Sequence, residues 1–228
     1  MQIIGHRGAA GLAPENTRAS FKAAINAGVD WIEFDVRKTK DDRVVLSHDA
    51  HTVRTGKRLH IISRTEYAKL KNVKLKGGNT IPTIAEALNS IDGQAKVNIE
   101  IKTAGCAEAV VQNIERMVKK GLTYEHFMVS SFSVARLREV HRLNSRIPLA
   151  LLHYLRPYKF LKLRGLRVQA VGFYHKRLPT RAIHQAELRE LIVYAYTVNK
   201  PRIAKKLIER GVKAIVTNHP EKLQELRD

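Results

Sequence analysis

Short apolar runs of strand character alternate with helical patterns along almost this whole chain. That alternation limits the architecture more than any other feature. Strands are expected at residues 2–5, 31–36, 97–101, 127–131, 149–152, 170–173, 192–197 and 214–216. Helical patterns separate them. Residues 17–27 have a polar cap in Asn16 or Thr17 and a stop in Gly28, the usual asymmetry of helix ends. Residues 83–91 place Glu86 three positions after Thr83, a capping-box spacing. Residues 107–120 close on Gly121, and residues 201–210 open with Pro201 and close on Gly211. Parallel strands need crossovers of this kind, so eight such units predict a parallel sheet. Closure of all eight into a (β/α)8 barrel suits 228 residues, while an open doubly wound sheet satisfies the same alternation. The stretch 37–82 is too long for one helix and its loops. A short extra strand at 44–47, then a loop-rich insertion within about 47–80, accounts for it. One domain spanning 1–228 is expected, without repeats or linkers.

Composition narrows the class. Apolar content is 44%, which is globular, and no run of about 18 apolar residues exists to form a membrane span. The opening Met1-Gln2-Ile3-Ile4 enters a strand at once, without the charged and apolar segments of an export leader. The single Cys106 excludes an internal disulfide framework and suits a reducing compartment, so a cytoplasmic location is expected. The charge is unusual. Lys and Arg number 41 against 21 Asp and Glu, a formal +20. No acidic residue lies between Glu139 and Glu187, where Arg142, Arg146, Arg156, Lys159, Lys162, Arg164, Arg167, Lys176, Arg177 and Arg181 fall. A field of this sign attracts anionic substrates, anionic membrane surfaces or nucleic acid. A soluble protein with a solvated basic face has the same composition. No DNA- or RNA-binding motif accompanies the charge. The mixture of aromatics, leucines and cations over residues 154–166 fits either peripheral contact with an anionic membrane or an amphipathic helix of the barrel.

Barrel sites are built at the carboxyl ends of the strands. Ile3-Ile4 leads into Gly5-His6-Arg7-Gly8, and Trp31-Ile32 into Glu33-Phe34-Asp35. Side chains two apart on a strand share a face, so Glu33 and Asp35 project together. Like charges side by side repel unless something positive lies between them. Glu100 ends the third predicted strand, with Lys102 two residues on, and Ser130-Ser131-Phe132 ends the fourth. Later ends carry His153, Tyr174-His175, Tyr196-Thr197-Val198-Asn199 and Thr217-Asn218-His219. Glu33, Asp35 and Glu100 offer oxygen ligands alone, which favours Mg2+, Ca2+ or Mn2+ over zinc. Arg7 can fork onto a phosphate, and Lys102 can bind one or pair with a ligand. His6, and His48 at the mouth of the insertion, titrate near neutral pH and can exchange protons with an alcohol, a water or a leaving oxygen.

These segments together resemble the glycerophosphodiester phosphodiesterase family. His6-Arg7-Gly8 with Pro14-Glu15-Asn16-Thr17 is similar to the family's opening motif, and Glu33-Phe34-Asp35-Val36 to its metal-binding strand. Ser47-His48-Asp49 with Arg54-Thr55 is similar to its second histidine segment. Ile81-Pro82-Thr83, Asn98-Ile99-Glu100-Ile101-Lys102, Ser130-Ser131-Phe132 and Tyr196-Thr197-Val198-Asn199 follow in family order. The resemblance implies a TIM barrel with one divalent cation, Mg2+ or Ca2+, on Glu33, Asp35 and Glu100. It implies His6 and His48 as the acid–base pair, and Arg7 and Lys102 as neutralisers of the phosphate. Glu15 would lie in the first-loop site near metal or substrate, with Phe132 and Tyr196 also contacting substrate. The implied reaction converts a glycerophosphodiester and water to glycerol 3-phosphate and an alcohol. The family often has Trp where Tyr196 stands and Asp where Asn218 stands. A lysophospholipase D-type reaction would use the same residues with an added acyl groove. A non-enzymatic phosphate- or nucleic-acid-binding barrel is the reading that the charge alone motivates.

Overall fold

The computed structural model describes residues 1–56, 58–154, 163 and 165–227. Eight parallel strands close into a barrel: β1 (Gln2–Gly5), β2 (Trp31–Lys38), β4 (Lys96–Ile101), β5 (Phe127–Ser131), β6 (Leu149–His153), β7 (Ala170–Tyr174), β8 (Ile192–Tyr196) and β9 (Ala214–Thr217). Closure is made by β1, which pairs with β9 from Gln2↔Ala214 to Gly5↔Thr217 and with β2 at Ile4↔Trp31. That pairing rules out the open sheet. A ninth strand, β3 (Val44–Leu46), runs antiparallel to the end of β2, Val36 opposite Leu46 and Lys38 opposite Val44. Pairing with β3 carries β2 on to Lys38, two residues beyond the expected end.

Strand alternation sorts the side chains into two layers. Ile32, Phe34 and Val36 of β2 and Val97, Ile99 and Ile101 of β4 face outward into the large core beneath the helices. Inside the barrel, Ile4, Met128, Ala150, Ala170, Tyr194 and Ala214 fill the floor with Trp31. A third, small cluster of Val45, Ile62, Leu70, Val73, Leu75 and Ile81 gives the insertion its own core.

The outer helices are α1 (Arg18–Asn26), α4 (Ile84–Ile91), α5 (Ala107–Lys119), α6 (Val134–Leu143), α7 (Thr180–Glu187) and α8 (Pro201–Glu209). Two single-turn helices, α2 (Val53–Gly56) and α3 (Tyr67–Leu70), lie in the insertion. Thr17, not Asn16, caps α1, its hydroxyl accepting from the Ser20 amide. Asn16 has φ 55° and spends its side chain elsewhere. Thr83 and Glu86 form the expected capping box of α4. On α5 the buried Ala107, Val110, Val111, Ile114 and Met117 recur at helical spacing. Of the basic stretch 154–166, residues 155–162 and 164 lie outside the described residues, and the membrane-contact expectation falls largely there. Among the described residues no helix is long and apolar enough to cross a membrane.

Candidate active site

The turn after β1 is tight for a reason that its two glycines explain. A Cβ on Gly5 would lie 2.4 Å from the Gly8 carbonyl oxygen, and one on Gly8 would lie 2.7 Å from the Ser20 backbone carbonyl carbon and closer still to its hydroxyl. Gly8 has φ 85° and Arg7 itself φ 52°, left-handed values that glycine adopts freely and arginine does not. The turn swings the Arg7 amide onto the Glu33 carboxylate at 2.9 Å and the Gly8 amide onto the Glu33 carbonyl at 3.1 Å. The Arg7 guanidinium then reaches Asp35 through Nε at 3.2 Å and Glu15 at 3.0 Å. His6 is held by its own amide on the Thr217 carbonyl at 2.8 Å and by Nδ1 against Asn218 Oδ1 at 2.6 Å.

Glu33, Asp35 and Glu100 converge as their strand positions predict: each offers an oxygen within 4.8 Å of the others. All three are buried or nearly so. Burial, then the charges of Asp35 and Glu100, push the Glu33 carboxyl well above the usual carboxylate range. Glu100 is pushed up to about 7 by burial and by Asp35, against the pull of Lys102. Burial raises Asp35 too, but Arg7 and Lys102 outweigh it and hold that carboxyl below its ordinary value. Lys102 Nζ lies 2.8 Å from Glu100 and 3.4 Å from Asp35. Asp35 Oδ1 is buried and accepts no hydrogen bond. Three close oxygen donors, two of them pushed toward protonation by one another and by burial, and one buried lone pair unclaimed, fit a hard divalent cation. The acidic cluster can bind a metal.

His48 arrives from the insertion. Its carbonyl accepts two hydrogen bonds from Arg37, at 2.7 and 2.9 Å. Its Nδ1 meets Asp49 Oδ1 at 2.7 Å, and Arg54 Nε holds the other Asp49 oxygen at 2.7 Å. Arg54 also bonds Glu15 at 2.8 Å. A chain of charges therefore runs from Asp35 through Arg7, Glu15, Arg54 and Asp49 to His48. It ties the insertion to the barrel rim.

One cavity of about 410 Å³ gathers His6, Arg7, Glu33, His48, Glu100 and Lys102 on one side. Its other wall is Phe132, Tyr154, Tyr174 and Tyr196, with Leu152 below. Phe132 meets Tyr196 edge-on at 6.1 Å, and Tyr154 stacks on Tyr174 at 5.0 Å. Lys102 stands over the Phe132 ring at 5.8 Å. Nine of the ten expected site residues are accounted for there, counting Asp35 beneath Arg7 and Lys102. Glu15 is the exception: it lines the adjoining crevice and is ion-paired with Arg7 and Arg54. Asn16 went unmarked as a site residue. It brackets Asp35, donating from Nδ2 to Oδ2 at 3.0 Å and accepting from the Asp35 amide at 3.1 Å. Asn218 and the Tyr154–Tyr174 pair were not marked either, although the strand-end position of Tyr174 and Asn218 was a signal.

A family model described as the glycerophosphoryl diester phosphodiesterase family matches residues 6–222. The chain belongs to that family. The match begins at His6 and so takes in every residue of the site just described. A glycerophosphodiester phosphodiesterase of Bacillus altitudinis is 29% identical over 249 residues, covering 100% of this chain and 98% of that one. A lysophospholipase D of Rattus norvegicus is 28% identical over 272 residues, covering 97% and 84%. Among solved structures, an Oleispira antarctica phosphodiesterase in complex with the product sn-glycerol-3-phosphate superimposes with a TM-score of 0.89. It is 28% identical, with 99% of this chain and 96% of that chain covered. Membership makes the protein a phosphodiesterase, and the purely binding barrel that its charge motivated gives way to an enzyme.

Proposed function

We propose that the protein hydrolyses glycerophosphodiesters to glycerol 3-phosphate and an alcohol, with proton transfer by His6 and His48. The observation that carries this reading is one cavity in which two histidines, two cations and the carboxylates Glu33 and Glu100 face one another, with Asp35 clustered against those two carboxylates beneath Arg7 and Lys102. Arg7 and Lys102 would sit against the non-bridging phosphoryl oxygens, where charge grows as phosphorus is attacked. Glu33, Asp35 and Glu100 would hold one divalent cation, Mg2+ or Ca2+, with Mn2+ also meeting the donor set. When bound, that ion supplies Lewis-acid stabilisation of the phosphoryl oxygens. His6 is neutral at pH 7, because burial and then Arg7 lower its pKa to about 4, so it is able to take a proton. Phe132 and Tyr196 would wall the substrate, with Glu15 setting the orientation of Arg7.

Release of glycerol 3-phosphate from glycerophosphocholine and glycerophosphoethanolamine, with Mg2+, Ca2+ or EDTA, tests the reading. Turnover that needs the cation and falls in His6→Ala is the expected result. Turnover unaffected by EDTA overturns the metal assignment. The aromatic wall favours one second reading, in which the wall receives the acyl chain of a lysophospholipid. Turnover of lysophosphatidylcholine with none of the glycerophosphodiesters would establish it.

A further inference from the structure

The aromatic side of the cavity has a charge of one sign only. Phe132 follows β5, Tyr154 follows β6, Tyr174 ends β7 with His175 and Lys176 after it, and Tyr196 ends β8. Four rings around a cavity suggest a cage for a quaternary ammonium, but their contacts speak against one. Lys102 already stands over Phe132 at 5.8 Å, and the Arg177 guanidinium over Tyr154 at 5.3 Å. Tyr174 is stacked on Tyr154, and the Tyr196 hydroxyl donates to the His153 carbonyl at 2.7 Å. Two of the four rings thus hold a cation of the protein itself, and a third is stacked.

Nothing on this side offsets those cations. The loops that follow β5, β6, β7 and β8 are residues 132–133, 154–169, 175–179 and 197–200, and none of them contains Asp or Glu. Lys176 and Arg177 are exposed, and among the described residues neither is ion-paired with a carboxylate. His175 stays neutral at pH 7, because burial and then Lys176 lower its pKa. The carboxylates of the site stand across the cavity on β2 and β4, against Arg7 and Lys102. The free hydroxyls of a bound glycerol need polar partners, which the histidine and carboxylate side supplies. The aromatic side is therefore left to the departing alcohol.

We propose that the preferred substrate carries a second anionic group, a phosphate monoester, on its departing alcohol, and that Lys176 and Arg177 select it. The inference rests on the glycerophosphodiester reading above and names the class of alcohol within it. The rings pack against the carbon skeleton of the alcohol, while the ammonium and guanidinium take the charge of its phosphate. A trimethylammonium in the same place would face two cations and no carboxylate. Because both side chains reach into solvent, the selection is modest in size and weakens with salt.

Glycerophosphoinositol and glycerophosphoinositol 4-phosphate differ by one phosphate monoester, and glycerophosphocholine carries a cation instead. At low ionic strength, kcat/KM for the 4-phosphate is expected to exceed that for the plain inositol ester by about tenfold, chiefly through KM, with glycerophosphocholine slowest. Salt at about 0.5 M is expected to cut the advantage to about threefold or less. Replacing both cations, Lys176→Gln with Arg177→Gln, is expected to bring the two inositol esters within about twofold of each other. Lys176→Glu with Arg177→Glu is expected to put glycerophosphocholine ahead of the 4-phosphate. A ratio of two esters on one sample does not depend on how much of the variant is folded. A wild-type advantage below about twofold, or one that both double variants keep, overturns the choice of alcohol alone. No turnover of any of the three esters overturns the glycerophosphodiester reading, and this inference with it.

Discussion

Carboxyls that repel one another are held together here by two cations and a buried amide, and each of those neighbours has a separable effect. Asn16 donates to and accepts from Asp35 inside the protein. Asn16→Ala removes both bonds and places alanine at φ 55°. The expected loss of stability is about 2 kcal/mol, read from the urea midpoint in EDTA. A midpoint equal to wild type would contradict the bracket. Lys102→Met leaves Glu100 and Asp35 without their ammonium partner, and kcat is expected to fall about 100-fold or more. His6 gives a pH signature of definite sign. Its folded pKa, about 4, lies below its ordinary value of 6.5, so the stability it contributes is complete above pH 6.5 and is lost as pH falls toward 4. The full contribution is about 3 kcal/mol. In EDTA, the wild type is therefore expected to lose more stability than His6→Ala between pH 7 and pH 4.5. Equal losses would show that the ring is not held neutral. At this scale Glu33, Asp35 and Glu100 were legible, because strand period and strand end place carboxylates by rule. The bonds of Asn16 and Asn218 were not. Their partners, Asp35 and His6, lie 19 and 212 residues away, and although a strand end marks where Asn218 stands, neither asparagine carries a sign of what it will bond.

Among the elements, those whose signals are local came out of the sequence almost unchanged. The capping box of α4 is one: Thr83 and Glu86 exchange hydrogen bonds as their spacing requires. Thr83→Ala is expected to cost about 1 kcal/mol, measured by denaturant unfolding, with Thr83→Ser close to wild type. The insertion is the contrast. Its existence followed from length, and β3 from the run Val44-Val45-Leu46, but its core gave no periodic pattern. Val45, Ile62, Leu70, Val73, Leu75 and Ile81 come from a strand, single turns and loops. Neither the helical nor the strand period describes such a set. The insertion matters because it carries His48, and the salt-bridged path through Asp49, Arg54 and Glu15 sets where that ring stands.

For the molecule as a whole, closure brings chemistry from distant parts of the chain onto one rim. Only where β1 meets both β9 and β2 can Asn218 touch His6 and Arg7 touch Asp35. A cation held on the three carboxylates, as proposed, would link folding to cation binding. Mg2+ or Ca2+ at 100 times its Kd is expected to raise the unfolding free energy by about 2.7 kcal/mol, seen as a higher Tm than in EDTA. Glu100→Gln should shrink that increment, and an increment unchanged by the substitution would place the ion elsewhere. The residues alone settled the alternation of strand and helix, the face shared by Glu33 and Asp35, and the collection of polar groups at strand ends, because each follows from a short repeat. The folded barrel settled that Glu15 is a bridge between arginines, that Thr17 and not Asn16 caps α1, and that the two histidines have unlike partners. Those outcomes depend on contacts between segments far apart in the chain, which exist only once the sheet has closed on itself.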